Sequence, residues 1–384
     1  MHGPCSRAQT AAETGLTRGT VSSLVAELID LRLVRETGVG SSGRPGRPSQ
    51  TLSLDEVVAA VGLEVNVDYI AAVVEDLTGT VRLERRTYQD NRGSVPDDVL
   101  DRIAELATEA LAHIEQEELV SAGVALAVPG LIEPSTGTVL VAPNLGWREI
   151  AASSELSARL GGTPIRVENE ANLSAVWEHM HGSARDLVTF ACVSGEVGVG
   201  AGVYVDGELY RGAHGFGGEF GHFVVDGDGE RCACGNHGCL ETVAGQEAIA
   251  RRAGVPLPTG RARSLTDELV KRAGHGDRAV LTGLHEAGEV LGLALASTVN
   301  IMDLEAIVLG GCLAPLGPWL TNGVEEALGR RVLAAPWSHC EVRLSEFGEG
   351  SAVRGAAAVM LAAVLDAPWR VRERSGGSTI EVRA

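Results

Sequence analysis

The chain has 384 residues and a formal net charge of −19, with 45% hydrophobic, 22% charged and 4% aromatic residues and 49 glycines. That length calls for two or three domains, and the composition suits a turn-rich α/β protein better than a β-sandwich or a disordered chain. No apolar run reaches the ~18 residues of a membrane span, and no basic-plus-apolar signal segment opens the chain, so a cytoplasmic protein without membrane contact is expected.

The charge is uneven. Residues 1–50 carry Arg7, Arg18, Arg32, Arg35, Arg44 and Arg47 against Glu13, Glu27, Asp30 and Glu36, a net +2 that leaves −21 for the remainder. Such asymmetry fits a small module that approaches phosphates and a large body that does not.

Arg7 to about Thr14 reads as a helix. Gly15-Leu16-Thr17 makes a sharp turn, and Thr17 is a good N-cap for a second helix over Arg18–Leu31. On that helix Val21, Leu24, Val25 and Leu28 fall on one face at helical spacing. A strand-like segment begins at Leu33-Val34, and Gly38–Pro48 is a Gly/Ser/Arg/Pro stretch, the order of a helix-turn-helix with a wing and linker.

From Thr51 strands and helices alternate. Val57–Val65, Tyr69–Asp76 and a run from Thr80 read as strands, with Leu77-Thr78-Gly79 turning between the last two. Asp97–Gln116 reads as a helix and Val120–Val128 as a buried strand ending in Pro129-Gly130. A second round opens with strands Leu187–Val193 and Val199–Val205 and the turn Asp206-Gly207. The helix Arg278–Asn300, the strand Ala306–Leu309 and the turn Gly310-Gly311 follow. The two similar rounds imply a two-lobed α/β body with a cleft. The expected domains are 1–50, 51–186 and 187–366, with a surface tail over 367–384.

His222, Cys232, Cys234 and Cys239 form the strongest constellation. Cys-x-Cys-x4-Cys puts three thiolates on one loop that Gly235 and Gly238 let fold back, and His222 can close a tetrahedron. Three sulfurs and one nitrogen leave no open position, which is the donor set of a structural Zn²⁺. His237 competes as a ligand, but its closeness to Cys239 makes the geometry poor. Cys192, in an apolar run, reads as core.

A polar group suited to a sugar is the second constellation. Glu168-Asn169-Glu170 opens a helix, Gly218-Glu219-Phe220-Gly221-His222 precedes the metal loop, and Leu240-Glu241 ends it. Carboxylates and an amide converging on one place hold adjacent hydroxyls. Each of these acids taken alone reads equally as a solvated charge. Gly198-Val199-Gly200-Ala201-Gly202 and Gly310-Gly311 fit either a nucleotide cradle or plain turns.

Tyr210-Arg211-Gly212-Ala213-His214-Gly215-Phe216-Gly217-Gly218-Glu219-Phe220-Gly221-His222, and Cys232-Ala233-Cys234-Gly235-Asn236-His237-Gly238-Cys239-Leu240-Glu241-Thr242, carry a family resemblance. From about Ser6 to Asp366 the chain resembles the ROK family of repressors, open reading frames and sugar kinases. The resemblance implies a two-lobed actin/hexokinase-like α/β body behind an N-terminal winged helix-turn-helix. It implies another helix before Ser6, where this chain has only Met1–Cys5. It implies Zn on His222, Cys232, Cys234 and Cys239, and a sugar on Asn169, Glu170, Glu219, His222 and Glu241, with Gly130 and Asn144 nearby. Arg18, Thr20, Ser22 and Ser23 would read a palindromic operator in double-stranded DNA as a homodimer or higher homo-oligomer, with Arg44 and Arg47 at a minor groove or phosphates. Arg44 and Arg47 read equally as part of a solvated linker.

Two functions follow from the resemblance, a sugar-responsive repressor of carbohydrate metabolism genes and an ATP-dependent sugar kinase with an appended DNA module. Three departures from the kinase branch favour the repressor and a non-enzyme. Glu64-Val65-Asn66-Val67-Asp68 stands where kinases of the family have Asp-x-Gly-Gly-Thr, so side chains and a negative charge occupy the phosphate path. Glu170 replaces the catalytic Asp, and the extra methylene moves the carboxylate by over ~1 Å, about a 10²-fold loss in positioned proton transfer. Glu196-Val197 replaces a Gly-Thr at a second phosphate loop.

Overall fold

A computed structural model of the chain describes residues 4–40, 49–195, 198–257, 265–348 and 350–369. The N-terminal part holds β1 (Cys5–Ser6), α1 (Arg7–Thr14), α2 (Arg18–Asp30), β2 (Val34–Gly40) and β3 (Ser49–Leu54). Ser6 caps α1 in a capping box with Gln9, and Gly15 ends it in the left-handed conformation that a side chain resists. Thr17 caps α2 through Thr20 N–H. The strands pair antiparallel in the order β1-β3-β2. Val21 and Val25 of α2 are buried with Ala11 and Leu52, whereas Leu24 is 44% exposed. The inward stripe of α2 is therefore narrower than the helical period suggested, and Leu24 lies outside it. Leu31 and Leu33, just past α2, join the core of the body instead.

The first round of the body comprises β4 (Val58–Val65), β5 (Tyr69–Asp76), β6 (Val81–Tyr88), α3 (Pro96–Gln116), β7 (Val120–Val128), β8 (Leu131–Glu133), β9 (Thr138–Ala142), β10 (Trp147–Ile150), α4 (Ala152–Arg159), β11 (Ile165–Asn169) and α5 (Glu170–Met180). The second comprises β12 (Phe190–Gly195), β13 (Val199–Val205), β14 (Glu208–Leu209), α6 (Glu241–Ala244), α7 (Gln246–Arg252), α8 (Leu265–Gly274), α9 (Arg278–Met302), β15 (Ala306–Gly311), α10 (Leu313–Arg331), β16 (Glu341–Leu344) and α11 (Ser351–Asp366).

Two five-stranded sheets run β11-β7-β4-β5-β6 and β14-β13-β12-β15-β16. Reversed, the first order matches the second strand for strand, with two antiparallel and two parallel pairings in each. α5 and α11 share one core with facing residues of both sheets. α3 and α4 pack on the other side of the first sheet, and α6 to α10 on the other side of the second. Gly355 lets α11 sit against the Leu173 carbonyl of α5, where a Cβ would collide with backbone.

Some boundaries differ from expectation. β12 begins at Phe190, not Leu187, because Val188 and Thr189 give their N–H groups to the Glu305 carboxylate. Gly310-Gly311 extends β15 by pairing with Ser194-Gly195 rather than forming a turn. By length and composition α9 is apolar enough to cross a membrane, although Glu286 and Glu289 interrupt it, so it is no unbroken apolar run. Its apolar face is packed in the core with α10.

Candidate sugar and metal site

The parallel strands β4, β7 and β11 end at one edge of the first sheet, with Glu64 opposite Ala127 and Asn169 opposite Val128. The chain then turns at Pro129-Gly130, where Gly130 (φ 108°) lies against the Val141 and Ala142 backbone with no room for a Cβ. Asn169 is the N-cap of α5. Its Oδ1 accepts from Ala171 N (2.8 Å) and Asn172 N (3.2 Å), and its Nδ2 donates to Gly130 O at 3.0 Å. Among the described residues the second N–H of this amide has no hydrogen-bond partner, Gly130 O taking the first, so it can still donate.

Opposite lies the loop from Tyr210 to Cys239. Arg211 donates through Nε (3.1 Å) and Nη2 (3.0 Å) to Glu168 Oε2 on β11. This clamp fastens the loop of the second round to the first. Glu168 Oε1 accepts from Asn172 Nδ2 at 3.2 Å, so Glu168 is committed to structure. Glu219 Oε2 is 3.8 Å from His222 Nε2, and Glu241 Oε1 is 3.8 Å from His222 Nδ1. Glu241 and the Asn144 amide both lie against Gly198 in space that a Cβ would fill. Gly130 and Asn169 are thus joined by a hydrogen bond, and Glu219, His222, Glu241 and Asn144 form a second group through the His222 ring and Gly198.

Two carboxyls there, Glu170 and Glu219, resist ionisation. Burial pushes Glu170 up to about 8, aided by the charges of Glu64 and Glu219. Burial also raises Glu219, opposed by His222 and reinforced by Glu241.

His222, Cys232, Cys234 and Cys239 offer ligand atoms that all lie within 4.8 Å of one another. Cys234 Sγ and Cys239 Sγ are 3.7 Å apart, and Cys232 Sγ is 3.8 Å from His222 Nδ1. A tetrahedron with metal–sulfur bonds of about 2.3 Å has edges of about 3.8 Å, so the cluster can hold a metal ion. Gly235 (φ 99°) and Gly238 (φ 65°) fold the loop back. His237 stands apart, exposed, with Nδ1 3.3 Å from Gly229 O. Cys232 Sγ also donates to Glu241 Oε1 at 2.8 Å, which ties metal loop and cleft together.

The stretch compared with a phosphate loop is closed on itself. Asn66 N–H donates to Tyr69 O (2.9 Å) and Asp68 N–H to Asn66 Oδ1 (3.2 Å). Buried Asn91 holds Asn66 O (2.5 Å) and Tyr69 O (3.1 Å) from behind. These N–H groups are unavailable to a phosphate. Glu196-Val197, Arg44 and Arg47 lie outside the described residues.

On α2, well apart in the fold, Arg18, Thr20 and Ser23 are exposed and Ser22 is half-buried. Thr20 Oγ1 is 2.9 Å from Thr17 Oγ1 and is partly engaged in the cap. Arg18 has no ion pair among the described residues, unlike Arg7 (with Glu36, 2.8 Å) and Arg35 (with Glu56, 2.8 Å). Sequence reading missed Arg211 and Arg92 as site-shaping residues, because their partners are distant in sequence.

The chain is 30% identical over 363 residues to the xylose repressor of Bacillus subtilis (strain 168), covering 94% of this chain and 92% of that protein. The crystal structure of a ROK family transcriptional regulator, a homolog of the E. coli MLC protein, matches with a TM-score of 0.77 and 27% identity, covering 96% of this chain and 95% of its own. A ROK family glucokinase from Streptomyces griseus, in complex with glucose and AMPPNP, matches with a TM-score of 0.67 and 25% identity, covering 78% of this chain and 98% of its own. These likenesses bear out the actin/hexokinase-like α/β body. With the family match running over residues 60–363, the chain belongs to the ROK family.

Proposed function

We propose that this chain is a DNA-binding transcriptional repressor of carbohydrate metabolism genes, gated by a sugar held between the two rounds of a kinase-like body. It acts in the cytoplasm, as a homodimer on a palindromic operator. The observation that carries the reading is the segment ahead of the family match. It folds as helix, turn, helix and antiparallel strands, and the first turn of α2 is exposed, with an Arg18 that has no ion pair among the described residues.

Residues 1–50 act as a winged helix-turn-helix in this reading. α2 enters the major groove, Arg18 reads base edges, Thr20, Ser22 and Ser23 contact edges or phosphates, and Arg44 and Arg47 reach the flanking backbone. The sugar contacts are Asn169, Glu170, Glu219, His222 and Glu241, beside Gly130 and Asn144. His222, Cys232, Cys234 and Cys239 hold Zn²⁺, which pins the loop that carries His222 toward the sugar and leads into Glu241. The residues divide as 51–186 and 187–366 for the lobes, with 367–384 as a tail.

The kinase alternative draws on the shared body with the Streptomyces glucokinase. The inward-turned N–H groups of Asn66 and Asp68 speak against it. Retardation of DNA from upstream of the chain's own gene tests the repressor reading. Arg18→Ala should abolish specific retardation. Unchanged retardation by Arg18→Ala would remove α2 as the reading helix.

A further inference from the structure

The cleft also bears on the chemical form of its ligand. Neighbouring strands lie about 4.8 Å apart, so Glu64 on β4 and the Asn169–Glu170 start of α5 flank the end of β7 from its two sides. Between them β7 contributes only Ala127, Val128 and the Pro129-Gly130 turn. Ligand sites gather outside such carboxyl ends of parallel strands. Glu64 is 1% exposed and accepts the Tyr69 hydroxyl at 2.8 Å.

Among the described residues, Arg211, Arg166, Arg92 and Arg86 near this edge are already engaged. Arg211 is clamped on Glu168, and Arg166 lies 3.9 Å from the same carboxylate. Arg92 is held by Asp68, Asp90 and Glu247. Arg86 lies over the Tyr69 ring at 4.5 Å and is drawn to Glu64. The backbone N–H groups of Asn66 and Asp68 are spent within their own turn. The Glu170 carboxyl itself resists ionisation here, held up by burial and by Glu64 and Glu219. A sugar hydroxyl needs no cation. It donates to a carboxylate or accepts from a neutral carboxyl. A phosphate ester would bring up to two further negative charges against these acids in a poorly screened place.

We propose that Glu64 and Glu170 are specificity-determining residues that admit an uncharged, unphosphorylated sugar and exclude its phosphate ester. This rests on the sugar-gated reading above. The Glu170 carboxyl faces the ligand hydroxyl, and an ester at that hydroxyl sets phosphate against carboxyl.

Calorimetric titration of the full chain with D-xylose, D-glucose and N-acetyl-D-glucosamine, and with D-xylose 5-phosphate and the 6-phosphates of the two hexoses, tests this. The expected result is that one free sugar binds and its ester binds at least about tenfold more weakly, with a gap that widens at low salt. At about pH 9, above the value of about 8 at which Glu170 titrates, Glu64→Gln and Glu170→Gln, each checked for an unchanged circular-dichroism spectrum, should each narrow the ratio to within about threefold. The ratio is the readout, so a general loss of affinity in a variant does not mimic the effect. An ester that binds as tightly as its free sugar overturns the proposal and leaves sugar gating standing. A ratio unchanged in both variants overturns the assignment to Glu64 and Glu170. Failure of every free sugar and every ester to bind the folded chain sinks sugar gating and this proposal together.

Discussion

Arg92 Nη2 lies 3.0 Å from Glu247 Oε1, joining the loop after β6 in the first round to α7 in the second across 155 positions of sequence. The same guanidinium holds Asp68 at 2.6 Å and Asp90 at 3.1 Å through Nη1. The turn compared with a phosphate loop is thereby tied to the opposite side of the body. Side-chain exposures of 36% and 28% make this a partly screened pair, worth roughly 0.5–1 kcal/mol. If the pair helps hold the two sides around the sugar, Arg92→Met and Glu247→Gln should each weaken sugar binding about two- to fivefold. The double variant should lose less than the product of the two, and the effect should fade in high salt. Equal sugar affinity in wild type and both single variants at low salt would show that the pair plays no part in closure.

A second prediction concerns Glu75, which is 0% exposed on β5. Neither carboxyl oxygen has a hydrogen-bond partner among the described residues, and His181 Nε2 is 3.9 Å from Oε1. Burial pushes Glu75 from 4.5 to about 8 against the pull of Arg354. Burial also lowers His181 from 6.5 to about 4. Between about 4.5 and 8 the unfolded chain lacks a proton that folded Glu75 keeps, so stability falls as pH rises. Between about 4 and 6.5 the unfolded chain binds a proton that folded His181 refuses, so stability rises with pH. The slopes oppose each other up to about pH 6.5; above it the His181 contribution is complete, while that of Glu75 continues to about pH 8. Glu75→Gln should therefore gain on wild type from pH 6.5 to 8 by roughly 2 kcal/mol. Melting curves that shift in parallel for both proteins over that range would show Glu75 to be ionised in the fold.

Metal content gives a third prediction. Protein purified without chelator should carry about one Zn²⁺ per chain. Cys234→Ala should lose that metal and weaken sugar binding at least about tenfold, while the far-ultraviolet circular dichroism stays close to wild type because the paired sheets do not depend on one loop. His222→Ala should lose sugar affinity even where residual metal remains. Full sugar affinity in metal-free protein would break the link between Cys232 and Glu241.

Fourth, wild type with Mg-ATP and a panel of hexoses and pentoses should form no sugar-dependent ADP. Glu170→Asp should not restore turnover, because Asn66 and Asp68 still keep their N–H groups turned inward. ADP formation by either protein above the sugar-free background would reinstate the kinase reading.

The metal cluster was legible in the sequence because four ligands within eighteen residues need only one loop to meet. The repeated strand order was legible for a similar reason, since each round writes its strands and turn locally. Asn169 shows the limit. Its place beside the cleft could be read, but its main work, capping α5 and binding Gly130, depends on a partner 39 residues away. Arg211 with Glu168 and Arg92 with Glu247 left no local trace. Glu75 reads as the polar end of a strand. It is buried because strand alternation turns it to the face that α5 and α11 cover. Leu24 fits the helical period yet faces out, since the small sheet of the N-terminal part covers only the Val21–Val25 stripe.

The most direct test of sugar-gated repression is fluorescence anisotropy of labelled DNA from upstream of the chain's own gene. It is titrated with full-length protein, first alone and then with the sugar that binds, in excess unlabelled competitor DNA. The account predicts specific, salt-sensitive binding whose apparent Kd shifts at least about tenfold when the sugar is saturating. Binding of equal strength with and without a sugar that demonstrably occupies the cleft, or no preference over competitor DNA, would contradict it.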